Sequence, residues 1–170
     1  MLTVTQVETD QQIRQGQELL KEYFEFLRTD VDKDIPDPNV IAPSAGYQQE
    51  IDNLPGKFGP PDGRFLLAEY EGEAAGCVAF YKFSADTCEV KRLWARPKFR
   101  GKKIGRALVE RLIEDARAMG YNTMILSTVD ILKEAQSLYD SLGFEKTEPF
   151  FDGPPEMMAH EIFLILDLTR

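Results

Sequence analysis

Lys91-Arg92-Leu93-Trp94-Ala95-Arg96-Pro97-Lys98-Phe99-Arg100-Gly101-Lys102-Lys103-Ile104-Gly105-Arg106 runs from a strand pattern into a helix pattern. Before it, Thr87 to Ala95 reads as a strand. After it, Ile104, Leu108 and Leu112 recur at helical spacing, with Val109, Ile113 and Ala116 beside them. That helix extends to Met119 and stops at Gly120. Eight of the 16 residues are basic and none is acidic, in a chain of net charge −9. A local positive field of this kind calls for an anionic partner. The first turn of a helix has unpaired N–H groups and the positive end of the macrodipole, which suits phosphate. Gly101 and Gly105 let a phosphate reach the backbone. Lys102, Lys103 and Arg106 crowd a helix end that disfavours cations, and a bound anion would offset their repulsion. The alternative is a solvated basic loop.

Working outward, Arg64 to Tyr70 and Ala74 to Phe83 form a hairpin through Glu71-Gly72-Glu73, and Ser84 to Asp86 turns the chain into the strand at Thr87. Downstream come a strand from Asn122 to Thr128 and a helix from Leu132 to Leu142 ended by Gly143. A strand from Phe144 to Phe150, a turn at Gly153-Pro154-Pro155 and a last strand from His160 to Leu168 complete the pattern. At the other end, Leu2 to Val7 alternates as a strand. Thr9 or Asp10 then caps a helix that ends near Arg28. Residues 29–63 hold six of the ten prolines and the acidic run Asp30, Asp32, Asp34 and Asp37. A short helix from Tyr47 to Leu54 fits the middle of this segment. Long loops in compact domains are functional or disordered, and this one reads as a substrate-side region or a solvated insertion.

Three hairpin-linked strands followed by β-α-β predict a mixed α/β fold: about seven strands in a central sheet with helices on both faces. Strand and helix do not alternate throughout, so it is not a doubly wound dinucleotide fold.

The 170 residues and 19.3 kDa suit one domain spanning 1–170. The acidic balance argues against a nucleic-acid partner. Two cysteines, Cys77 and Cys88, and one histidine, His160, exclude a Cys/His zinc site and a disulfide framework. The cysteines read as buried thiols, with one disulfide as the alternative, and His160 as structural. Ile162 to Leu166 is the longest aliphatic or aromatic run, far short of the ~20 residues a membrane span needs. Met1 to Asp10 lacks a secretory signal's charged and apolar regions. The expectation is a cytoplasmic protein with no membrane partner and no metal.

Neither G-x-x-x-x-G-K-[ST] nor G-x-G-x-x-G occurs around Gly101 and Gly105. Instead, Arg100-Gly101-Lys102-Lys103-Ile104-Gly105 resembles the acetyl-CoA motif [QR]-x-x-G-x-[GA] of the GCN5-related N-acetyltransferases. Lys103 stands where that family usually has its first glycine. Ala135-Gln136-Ser137-Leu138-Tyr139-Asp140-Ser141-Leu142-Gly143-Phe144 resembles the family's second signature, A-x-x-L-Y-x-x-x-G-F, at every fixed position. Leu132 stands where many relatives carry an asparagine that helps hold the cofactor. The resemblance covers the chain from about Arg64 onward, with Leu2 to Arg28 consistent.

The resemblance implies that two parallel strands, Thr87 to Ala95 and Asn122 to Thr128, splay apart around the pantetheine arm of acetyl-CoA. The backbone of Leu93, Trp94 and Ala95 would pair with the pantetheine amides. Phe99 to Ala107, including Arg100, Gly101, Lys102, Lys103, Ile104, Gly105, Arg106 and Ala107, would hold the pyrophosphate. An N–H near Leu93 or Trp94 would face the thioester oxygen. Tyr139 would protonate the departing thiolate, the alternative being a half-buried packing aromatic. Glu89 matches the position of a catalytic glutamate in histone-modifying relatives and would be the general base; a surface glutamate paired with Lys91 or Arg92 fits equally. Lys91 and Arg92 would hold a substrate carboxylate or phosphate, or else are sheet-face charges. The Trp94 side chain reads as packing.

The implied activity is acetyl transfer from acetyl-CoA to a primary amine of a small molecule by direct attack in a ternary complex, in a monomer or homodimer. The alternatives are a non-catalytic acyl-CoA-binding module and a protein or peptide N-acetyltransferase.

Overall fold

The computed structural model describes residues 1–31 and 44–170. Asp32, Asp34, Pro36, Asp37, Pro38 and Pro43 of the proline-rich segment lie outside the described residues. Seven strands, β1 (Leu2–Gln6), β2 (Arg64–Tyr70), β3 (Glu73–Ser84), β4 (Thr87–Ala95), β5 (Thr123–Val129), β6 (Glu145–Lys146) and β7 (Glu161–Asp167), form one sheet in the order β1-β2-β3-β4-β5-β7-β6. Every neighbouring pair is antiparallel except β4 and β5, which are parallel. The helices are α1 (Asp10–Phe26), α2 (Ser44–Asp52), α3 (Ile104–Ala118), α4 (Lys133–Ser141) and the single turn α5 (Pro155–Met158). The mixed α/β architecture agrees with the sequence pattern.

Helix α1 starts at a capping box. The Thr9 hydroxyl accepts from the Gln12 N–H at 3.1 Å, and the Gln12 side chain accepts from the Thr9 N–H at 3.0 Å. The helix leaves its α-geometry through one π-turn, Leu27–Val31. Its apolar face, Leu19, Leu20, Phe24 and Leu27, packs with Ile51, Leu54 and Phe58 on one side of the sheet. Helix α3 covers the opposite side with Leu108, Val109 and Leu112. Strand β2 shows how both faces become buried: Phe65 and Leu67 enter the α1-side core, and Leu66 and Ala68 the α3-side core. Period-two alternation between two apolar layers explains why Phe65-Leu66-Leu67-Ala68 has no polar member. Cys77 and Cys88 are free and buried in opposite layers.

The expected strand from Phe144 to Phe150 is cut to Glu145–Lys146. The Thr147 N–H still reaches the Phe163 carbonyl at 2.9 Å, but Pro149 has no N–H to continue a ladder. Phe150 and Phe151 then stack edge-on against Phe163, with centroids 5.0 and 4.9 Å away.

Two irregularities in β4 position the site. Its parallel register with β5 covers three pairs, ending at Glu89↔Ile125. Beyond that point the strands splay. Its register with β3 shifts between Cys77↔Trp94 and Ala79↔Lys91, so one extra residue bulges out at Arg92, whose φ is +65°. A left-handed arginine inside a strand is a strained conformation that its surroundings must hold, at a cost on the order of 1–3 kcal/mol.

The clamp on that bulge comes from α2. Glu50 accepts two bonds from the Arg92 guanidinium, at 2.6 and 2.8 Å. The guanidinium also lies 5.2 and 5.4 Å from the rings of Phe24 and Tyr47. Arg92 is 12% and Glu50 16% exposed, so removing the carboxylate strands a mostly buried cation. Glu50→Ala should therefore destabilise the fold by about 3 kcal/mol. Thermal denaturation checks this, and an unchanged melting temperature would mean that the pair contributes nothing.

Candidate active site

The splay opens a cleft of about 1130 Å³. Its β4 wall is formed by Val90 to Ala95 and its β5 wall by Ser127, Thr128 and Val129. The Arg96 N–H donates to the Ala75 carbonyl at 2.8 Å. Antiparallel alternation then turns the polar groups of Trp94 toward β3 and those of Leu93 and Ala95 toward the gap. The open edge is thus formed by Leu93 and Ala95, ready to pair with an extended amide-bearing chain. Gly76 lets β3 follow this kink: a Cβ there would lie 2.5 Å from the Trp94 carbonyl oxygen and 2.9 Å from Ile104 Cγ2.

The loop between β4 and α3 forms one end of the cleft. Gly101 has φ +83° and Lys103 +61°. Lys103 is the N-cap of α3 and supplies no side-chain cap. A left-handed lysine costs about 1–2 kcal/mol, which accounts for a glycine being usual at this motif position. The N–H groups of Gly101, Lys103, Ile104, Gly105 and Arg106 have no hydrogen-bond acceptor among the described residues. Donors of this kind at a helix start are an anion cradle.

The charge of residues 91–106 is largely compensated in the fold. Lys91 pairs with Glu89 at 3.0 Å, Arg92 with Glu50, Arg96 with Glu22 at 2.8 Å, Lys98 with Glu73 at 2.6 Å and Arg106 with Glu110 at 3.0 Å. Arg100, Lys102 and Lys103 have no carboxylate partner among the described residues. Arg100 and Lys103 line the cleft beside the unpaired amides.

Most of the residues singled out in the sequence converge here. Leu93, Trp94, Ala95, Arg100, Gly101, Lys103, Ile104, Gly105, Arg106 and Tyr139 line the cleft, as do Lys91 and Arg92. Lys102, Ala107 and Glu89 are not on its wall. The Lys102 ammonium sits 5.6 Å over the Tyr70 ring. Glu89 is 3% exposed, and its carboxylate accepts from the Tyr81 hydroxyl and pairs with Lys91. The Trp94 ring packs on α1, 5.1 Å from Phe26 and 6.4 Å from Tyr23. Its indole N–H donates to Glu22 at 3.2 Å. His160 lies beside Asp130, with Nδ1 to Oδ2 at 3.2 Å.

Tyr139 comes from α4 and packs in the α3-side core, its ring 5.4 Å from Phe144. Its hydroxyl has no hydrogen-bond partner among the described residues, and burial holds its pKa above the usual phenol value, aided by the Tyr23 phenol. Tyr23 comes from α1, on the other side of the sheet, and burial raises its pKa against the opposing field of Arg92. Tyr23 and Tyr139 both line the cleft, from opposite sides of the sheet. Tyr23 and Glu161 belong to no short motif; only the pairing of distant segments brings them to the cleft.

A mixed sheet with one splayed parallel pair, unpaired amides at the start of the following helix and a buried phenol beside the gap come together in one cleft. The chain belongs to the Acetyltransferase (GNAT) family, whose sequence model matches residues 17–144, and it is an N-acetyltransferase. It is 40% identical over 123 residues to an uncharacterized N-acetyltransferase of Schizosaccharomyces pombe, covering 71% of this chain and 74% of that one. It is 37% identical to the N-acetylaspartate synthetase of Mus musculus over 86 residues, which span 50% of this chain and 29% of the mouse protein. The fold also matches the yncA structure of Salmonella typhimurium with acetyl-CoA at TM-score 0.65 and 19% identity, over 98% of this chain and 94% of that one.

Proposed function

We propose that the protein moves the acetyl group of acetyl-CoA to a primary amine of a small molecule by direct attack in a ternary complex. The observation that carries this reading is the gap after Glu89↔Ile125, flanked by the unpaired amides of Gly101 to Arg106 and by the Tyr139 phenol. Pyrophosphate sits on those amides, with Arg100 and Lys103 adding charge. The pantetheine arm pairs with the β4 edge at Leu93 and Ala95. The Leu93 N–H is then the β4 donor placed for the thioester oxyanion.

The acceptor enters from the α1 face, because the cofactor loop and Tyr139 occupy the other. That face carries Glu22, Glu25, Asp30 and Glu161 at the cleft; Glu22 is held by Arg96 and Glu25 by Arg28, which leaves Asp30 and Glu161 as the carboxylates that suit a cationic amine. The Arg92 guanidinium donates both of its bonds to Glu50, so an acidic acceptor would have to compete for it. The name of the mouse relative, an N-acetylaspartate synthetase, is the observation that keeps an amino-acid acceptor in the panel.

Acetyl-CoA should stabilise the protein by mass action, by about 2.7 kcal/mol at a hundredfold excess over Kd. That is a rise of roughly 5–10 °C in melting temperature for a chain of this size. Binding should weaken with salt. Thiol release should then require an amine, tested with a polyamine, L-aspartate, L-lysine and an alanine-initiated peptide. No thermal shift at saturating acetyl-CoA would sink the donor assignment. A shift without release by any amine would favour a binding module.

A further inference from the structure

We propose that Glu161, at the start of β7, is the group that takes the proton from the acceptor amine. The inference rests on the N-acetyltransferase reading and names the base that this reading leaves open.

Glu161 pairs in register with Val129, the last residue of β5. Val129 belongs to the α1-side core, so Glu161 projects on that same face, where the acceptor enters. Both residues line the cleft. The position lies past the end of the β4–β5 pairing, on the far side of the gap from Lys91. Glu161 is half-buried, and its carboxylate makes no hydrogen bond and no ion pair among the described residues.

Glu89, the other carboxylate near the gap, differs on each count. It sits within the paired part of the strands and is off the cleft wall. Its oxygens are engaged by the Tyr81 hydroxyl and the Lys91 ammonium. Both donors fix that carboxylate in place, and it anchors Lys91.

Burial raises the pKa of Glu161 to about 7, with Lys91 opposing the rise. A carboxylate with that pKa is half ionised at pH 7 and increasingly ionised above it, which suits a base that takes up a proton in the neutral range. Lys91 from β4 is the charge that acts on it; Lys146 from β6 shares a smaller cavity with it, and Glu22, Glu25, Asp30, Arg92, Lys133 and Glu134 line the same cleft. Asp130 and His160 beside it are engaged with each other.

The ammonium group gives one proton to the Glu161 carboxylate, and the freed lone pair forms the C–N bond to the thioester carbon. The tetrahedral oxyanion collapses, the C–S bond breaks and the thiolate takes a proton from Tyr139. The second nitrogen proton replenishes the phenol. Glu161 releases its proton to solvent, so one proton is produced per acetyl transferred.

The test uses the full chain, acetyl-CoA and the best amine of the panel, with Glu161→Gln, Glu161→Asp and Glu89→Gln. Wild-type kcat/KM should show a rising limb near pH 7. Glu161→Gln should lower kcat by on the order of 10²–10⁴-fold and lose that limb, with the acetyl-CoA thermal shift retained. Glu161→Asp should keep the limb at an intermediate rate, and Glu89→Gln should keep both limb and the larger part of the rate. A carbon-13 carboxyl titration of glutamate-labelled protein should show a resonance with a midpoint near 7 that Glu161→Gln removes. Wild-type turnover and limb in Glu161→Gln, or titration of that resonance in the ordinary carboxylate range, would overturn the proposal. A wild type that binds acetyl-CoA but acetylates no amine points to failure of the acetyltransferase reading instead.

Discussion

Gly105→Glu should abolish acetyl-CoA binding and leave the fold at least as stable as the parent. Gly105 is the second residue of α3, it lines the cleft, and its N–H is one of the unpaired donors. A Cβ built there meets Leu138 Cδ2 at 3.4 Å as its nearest neighbour, an ordinary contact, so a side chain fits without moving the backbone. Glutamate in place of glycine raises helix propensity by about 0.5–1 kcal/mol. A carboxylate in the first turn adds about 0.3–1 kcal/mol through the macrodipole. The same carboxylate competes for the amides that hold the pyrophosphate and repels it. The expected result is a higher melting temperature without ligand and no thermal shift at saturating acetyl-CoA. Gly105→Ala, which adds only the methyl group, should bind within a few-fold of the parent. Normal acetyl-CoA binding by Gly105→Glu would place the phosphate cradle elsewhere.

The parts of this protein that sequence makes visible are those in which one local pattern has one structural outcome. The strand from Arg64 to Tyr70, the helically spaced run from Ile104 to Ala116 and the Leu138-Tyr139…Gly143-Phe144 signature all fall where their spacing puts them. Charge was less legible. Eight cations in sixteen residues look like an exposed field, but five of them meet glutamates from Glu22 to Glu110. Among the described residues, the cations without a carboxylate partner are Arg100, Lys102 and Lys103, beside the open amides. The Arg92 bulge has no local signal at all. Its left-handed backbone is held by Glu50, 42 residues earlier in the chain, and pattern reading cannot pair residues across such a distance. Glu161 is hidden for the same reason. In the sequence it is a charged residue opening an apolar strand. Only its register with Val129 puts it at the mouth of the cleft. The shortened β6 had a local sign in Pro149, outweighed in the pattern by the aromatic residues around it.

Tyr139→Phe should leave stability and acetyl-CoA binding close to the parent while turnover falls by on the order of 10²–10⁴-fold. The ring is 5% exposed and packs on Phe144, and phenylalanine keeps that packing. The hydroxyl donates to no group among the described residues, so its removal leaves no protein partner stranded. It contributes nothing to the phosphate cradle, which is made of backbone amides. What it supplies is a proton: with its pKa raised by burial, the phenol stays protonated through the neutral range and can donate to a thiolate as the C–S bond breaks. The effect should appear in kcat, because the transfer occurs only as the intermediate collapses. Equal losses in acetyl-CoA affinity and turnover would indicate a packing role. Unchanged turnover with an accepted amine would assign the proton to water. If Glu161 and Tyr139 act at opposite ends of one proton path, the double variant Glu161→Gln/Tyr139→Phe should lose less than the product of the two single losses, because residues that act as a unit are not additive.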